Sequence, residues 1–130
     1  MRRRQDGQAT VELVLVLPVV VLALLLVIQV ALVARAQIVV VEAAREGARA
    51  AAVERTAAAA TAAVVRTPGL PDGCARTEVS IGAGQGGIAT VTVVCRVPTD
   101  VPLIGPLVGD PVVEAASSML VEDPATTAGG

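Results

Sequence analysis

Residues 13–34 read LVLVLPVVVLALLLVIQVALVA, an uncharged run of 22 interrupted only by Pro18 and Gln29. No other feature limits the possible folds so strongly. As a helix the run rises roughly 33 Å, enough to cross the hydrocarbon core of a bilayer, about 30 Å thick. A soluble domain would have to surround such a helix with apolar neighbours, and a chain of 130 residues is too small to do so. A membrane-spanning helix is therefore expected over residues 8–34.

Charge sets the expected orientation. Arg2, Arg3 and Arg4 lie just before the run, and only Arg35 follows it closely. The positive-inside rule keeps the arginine cluster in the cytoplasm and places the C-terminal part outside. A cleavable secretory signal is the competing reading, because Ala34-Arg35-Ala36 has the A-x-A form of a signal-peptidase site. A signal-peptide core is only about 7–15 residues long, and here the helical pattern continues through the site as IVVVEAAREGARAAAV.

Several function classes fall away on composition. The chain has no His, Lys, Phe, Tyr or Trp. Base catalysis by imidazole and the common zinc sites both need histidine. The carboxylates are scattered and no Ser lies in a nucleophile motif, so no catalytic, cofactor or metal residues are expected and the chain reads as a non-enzyme. Residues 1–7 carry a net +2 of a formal total of −2, so the remainder stands at −4. That balance, without stacking aromatics, argues against nucleic acid as a partner.

The head of the apolar run carries the sharpest motif. Gly7-Gln8-Ala9-Thr10-Val11-Glu12 places a Gly behind a short basic leader and a Glu five residues further on. This arrangement resembles the processing site of type IV prepilins and pseudopilins. The resemblance implies cleavage by prepilin peptidase between Gly7 and Gln8, removal of residues 1–7, and Glu12 as the fifth mature residue. Glycine gives a peptidase an unhindered backbone. A carboxylate at the edge of a membrane helix needs a partner, and the ammonium of a neighbouring subunit would supply one to Glu12. The bland alternative leaves Glu12 in the headgroup region, favoured by the helix N-terminus.

Beyond the run, residues 35–66 are rich in Ala, Arg and Glu and should remain helical outside the membrane. Glu42, Arg45, Glu46 and Arg49 are spaced for contacts on a solvated face. Ala43, Gly47 and Ala51 form one row of small residues, and Ala44, Ala48 and Ala52 form the next. Such rows admit a close backbone neighbour, either the chain's own sheet or another subunit. Thr56 could cap a separate second helix, or one helix could run to Arg66. The stretch EAAREGARAAAV closely resembles the segment after the membrane helix in TadE-like pseudopilins of the tight-adherence pilus system. VPTDVPLIGPLVGD, further on, is also similar to members of that family. The chain departs from many of them in having no aromatic residue after the apolar run.

Residues 67–122 should form a small antiparallel β domain. Pro68-Gly69-Leu70-Pro71-Asp72-Gly73 ends the helix. Strands are expected at residues 77–81, 89–97 and 112–122. Val91, Val93, Cys95 and Val97 share one face of the second, opposite Thr90, Thr92 and Arg96, and Glu114, Ser118 and Glu122 share one side of the third. Gly82-Ala83-Gly84-Gln85-Gly86-Gly87 matches G-x-G-x-x-G but precedes a strand pattern, so it reads as a hairpin loop and not a nucleotide site. Pro98, Pro102, Pro106 and Pro111 exclude a central strand between them. Val101, Leu103, Ile104, Leu107 and Val108 there either pack under the sheet or form an apolar arm touching membrane or a partner. Residues 123–130 read as a flexible tail.

Cys74 and Cys95 are the only cysteines. With the C-terminal part outside, they should meet an oxidising environment and form a disulfide; two reduced, buried thiols are the alternative. The expected architecture is thus α+β and pilin-like: a long N-terminal transmembrane helix whose outer part packs on an antiparallel sheet of about three strands. Its implied setting is the cell membrane, as a single-pass minor pilin or pseudopilin associated with a pilus. Its implied partners are prepilin peptidase, the pilus assembly platform proteins, the major pilin, other pseudopilins and membrane lipid. An unprocessed anchored accessory protein, or a small secreted binding domain, is the alternative.

Overall fold

The computed structural model describes residues 3–74, 76–83, 86–98, 101–103 and 105–121. Helix α1 (Arg3–Glu54) extends unbroken for 52 residues, through the apolar run and on into the Ala-rich segment. Pro18 lies inside it. Proline removes one backbone hydrogen bond there, a loss that apolar membrane helices commonly tolerate.

Helix α1 ends at a residue with no obvious helix-breaking character. Arg55 takes φ 54°, a left-handed conformation that costs a non-glycine residue about 1–2 kcal/mol. Its amide still donates to the Ala51 carbonyl at 3.0 Å. Thr56 then adopts an extended backbone, and its hydroxyl accepts from the Ala59 amide at 3.3 Å, which caps α2 (Ala57–Val65). The capped second helix is therefore the arrangement adopted. α2 folds back along α1, since Val64 and the Ala60 carbonyl both lie beside Gly47.

Three strands follow: β1 (Arg76–Ile81), β2 (Ile88–Arg96) and β3 (Val112–Leu120), with a four-residue helix α3 (Gly105–Val108) between the last two. They form one antiparallel sheet in the order β1-β2-β3, with Val91 opposite Val79 on one side and Ser117 on the other. The Gly-rich connection is the β1–β2 hairpin, closed by the Gly82 amide donating to the Ile88 carbonyl at 3.0 Å. Its Gly84 and Gln85 lie outside the described residues, as do Arg2, Ile104, Glu122 and residues 123–130.

The alternation expected of β2 is observed. Ala89, Val91, Val93 and Cys95 are fully buried, and Val97 continues the same face. Glu114 and Ser118 point away from the core, and the Ser118 hydroxyl pairs with that of Thr90 at 2.9 Å. α1 covers the inner face and packs on β2 and β3, while α2 also meets β1. Both small-residue rows of α1 are buried in this layer. The chain's own sheet is thus what they approach. Arg45 and Glu42 pair at 3.9 Å on the opposite, exposed face.

Of the two arrangements open to the Pro-rich connection, the structure adopts the apolar arm: among its described apolar residues Val101 is buried, while Leu103, Leu107 and Val108 are exposed.

Gly47 sets the distance between the layers. A Cβ there would meet Val64 Cγ2 at 2.8 Å and Val91 Cγ1 at 3.0 Å, both on stiff β-branched side chains. Gly47→Val should therefore destabilise the external domain by about 1–3 kcal/mol through overpacking. Chemical denaturation followed by circular dichroism should show a lower midpoint. Gly69→Ala, which meets nothing closer than 4.0 Å but sits at φ 78°, would test backbone strain without crowding.

Candidate functional site

Two parts of the fold carry the candidate chemistry: the head of α1 and the base of the sheet. At the head, Gly7 is a helical residue in open space, with nothing within 4 Å of the position its Cβ would take. Gln8 and Glu12 are exposed and lie one turn apart on the same side of the helix. A glycine within a helix weakens it by about 0.5–1 kcal/mol relative to alanine, so the chain opens more easily there. No part of the external domain covers this head. The side chains from Val11 to Leu24 are exposed along the helix, a surface fit only for lipid or for apolar partners. This helix is long and apolar enough to cross a membrane and suggests a membrane anchor.

At the base of the sheet, Cys74 and Cys95 form a disulfide across a sequence separation of 21. Cys95 is fully buried on the core face of β2, and Cys74 packs against the same cluster. The backbones come close here: the Arg96 amide donates to the Gly73 carbonyl at 2.9 Å, and a Cβ on Gly73 would overlap the Arg96 carbonyl oxygen. Glycine is the residue this approach admits. The bond ties the helix-to-sheet connection to the central strand.

The remaining surface offers little for chemistry. The outer face of the sheet carries Arg76, Glu78, Thr92, Arg96 and Glu114 around an open groove, with Arg76 and Glu78 3.7 Å apart and well exposed. Among the described residues, no group of three or more His, Cys, Asp or Glu could hold a metal ion.

The sequence left the break before Thr56 open, and sequence reasoning missed the helix α3 and the burial of Gln29, which is 4% exposed although it lies in the apolar run. The Pro106 that follows Gly105 signalled α3, because proline suits a first helical turn. The break at Arg55 was signalled only by the capping residue Thr56 that follows it, and Gln29 carried no such signal.

A long N-terminal apolar helix packed on a three-stranded antiparallel sheet is the pilin-like α+β plan. Residues 7–49 match the family model of TadE-like proteins, so this segment of the chain is TadE-like. The match begins at Gly7, takes in Glu12 and the apolar run, and ends within the small-residue rows. It leaves the sheet, the disulfide and the arm outside. Neither a curated protein nor a solved structure matches the chain.

Loss of the disulfide should be costly in a domain with no aromatic core. A closed loop of this length contributes about 3 kcal/mol in the chain-entropy model. Cys95→Ser and Cys74→Ser should each lower the unfolding midpoint and raise protease sensitivity of the sheet, with membrane association unchanged. Non-reducing peptide mapping checks the bond, and free thiols at both positions with unaltered protease resistance would count against its role.

Proposed function

We propose that this chain is a minor pilin or pseudopilin that takes part in assembly of a tight-adherence pilus, after prepilin peptidase cuts between Gly7 and Gln8. The observation that carries the reading is the constellation at the head of α1. An open glycine and a glutamate five residues on lead an apolar helix that the protein leaves uncovered, and the TadE-like match starts at that glycine.

Each part has a physical role in this reading. The arginines keep the leader on the cytoplasmic side, and the sheet lies across the membrane. Removal of residues 1–7 leaves an ammonium group at Gln8. In an assembly, Glu12 of one subunit meets the ammonium of its neighbour, which keeps an ionised carboxylate tolerable near lipid. The uncovered helix packs against the helices of the major pilin and other pseudopilins, and platform proteins in the membrane receive it. The continuity of α1 across residues 34–36, with Ala36 packed in the core, supports retention of the helix and not its release by signal peptidase.

Intact-mass analysis of membrane-extracted protein should give a chain starting at Gln8 and retaining the helix. A chain starting at Gln37 would establish secretion, and one starting at Met1 would establish an unprocessed anchor. Gly7→Leu should block the cut and leave a product heavier by residues 1–7.

Glu12→Ala separates docking from processing. Cleavage should proceed as in the parent protein, while pilus number falls sharply and cleaved subunits accumulate in the membrane. Pilus counts and leader cleavage measured on the same cells check this; full piliation by the variant would remove Glu12 from subunit docking.

A further inference from the structure

The arm between β2 and β3 lies at a level fixed by two contacts. The Gln37 side-chain amide donates to the Glu114 carbonyl at 3.1 Å. Further up α1, Gly47 sits beside Val91, whose partner on β3 is Ser117. β3 therefore ascends in the same direction as α1. Followed the other way, from Glu114 through Val112 to Pro111, it descends toward the apolar run. There the Val97 amide donates to the Pro111 carbonyl at 2.9 Å and closes the base of the arm. The arm hangs from the end of the sheet that faces the membrane helix.

The burial of α1 agrees with that placement. Its side chains are exposed through Leu24, Leu25 is half-buried, Gln29 is 4% exposed and Val33 packs on the core cluster. Cover thus reaches Gln29, about 12 Å below Gln37 and about 7 Å inside the uncharged run that ends at Ala34. Arg35, exposed at the end of that run, can extend its guanidinium to the headgroups. An apolar element lying in a membrane surface is buried about 5–10 Å into the headgroup and acyl boundary, which is the same depth.

The chemistry of the arm suits that environment. Residues 101–109 read VPLIGPLVG, uncharged and bounded by Asp100 and Asp110. Val101 and Gly105 hold it to the protein, while Leu103 is 68% and Leu107 84% exposed, with Val108 beside them. Leu103 also takes φ 71°, a strained choice for leucine that leaves its side chain outside the core. Gln29 is screened from acyl chains at this level although its Oε1 has no hydrogen-bond partner.

We propose that the arm between β2 and β3 forms a second membrane contact through Leu103, Leu107 and Val108, seated in the leaflet entered by the C-terminal end of the apolar run. The occupant of this apolar surface is the bilayer that α1 crosses, because the arm hangs from the end of the sheet nearest the apolar run of that helix. The proposal rests on α1 spanning a membrane, and both statements can be tested separately.

The chain contains no Trp, Tyr or Phe, so one introduced tryptophan is its sole strong fluorophore. Leu107→Trp and Leu103→Trp replace exposed side chains and leave the core intact. Full-length protein is reconstituted in phosphatidylcholine and phosphatidylglycerol vesicles, with and without lipids brominated near the top of the acyl chain. Both variants should show blue-shifted emission and lose most of their intensity to the bromolipid. Ile88→Trp, at the far end of the sheet, should show solvent-like emission and no quenching. Leu22→Trp, within the apolar run, reports the span itself: if it is unquenched, the membrane reading of α1 fails. If Leu22→Trp is quenched while both arm tryptophans stay solvent-like, the arm proposal is overturned. It is equally overturned if the arm tryptophans become shielded only as the protein-to-lipid ratio rises, which would assign the arm to a second copy of the chain.

Discussion

The rest of the structure depends on how near one helix can come to one sheet. The chain has no aromatic side chains to fill a wide gap, and its largest fully buried residues are Val40, Val64, Val91, Val93 and Cys95. A core of valine and alanine has native density only if the layers almost touch. Gly47 and the alanines at 43, 44, 48, 51 and 52 allow that approach, and α2 closes over the same region through Ala60 and Val64. The domain buries little apolar area per residue, so the covalent tie between Cys74 and Cys95 carries a large share of its stability.

Helix α1 carries two kinds of surface on one backbone. Its first half presents Leu, Val and Ile on every side, as expected where apolar surroundings are continuous. Its second half turns small residues to the sheet and charged ones such as Glu42 and Arg45 to water. The change occurs between Gln29 and Val40, where cover by the external domain begins. No break marks the change, so movement of the anchor and of the sheet are coupled through a rigid rod.

Much of this was legible in the sequence, for physical reasons that differ by element. The apolar run announced a helix through length alone. β2 declared itself because one face is dry and the other wet, which writes a period of two into Val91, Val93, Cys95 and Val97. The small-residue rows predicted close packing but not its partner, since a sheet and a second subunit demand the same side chains. The break at Arg55 was only half legible: Thr56 offered a cap, but the left-handed residue before it is not glycine, so an unbroken helix stayed equally open. The arm was ambiguous for a related reason: leucine and valine suit a core and a lipid surface equally, and position alone separates the two. At the head of the helix, Gly7 and Glu12 stood out by spacing, and both are exposed, with none of the described residues packed against Gly7.

The order of strands bears on how the domain comes into being. Each strand pairs only with its neighbour along the chain, as β1 with β2 and β2 with β3. Such a meander needs no pairing between strands distant along the chain, and topologies dominated by local pairing fold fast. The long-range requirement is docking onto α1, and that helix precedes every strand in the chain. A surface of alanines is already formed when the first hairpin arrives, and the hairpin brings Cys95 back to Cys74 before β3 is needed. The last strand then completes the layer, so assembly can finish in the sequence in which the residues emerge.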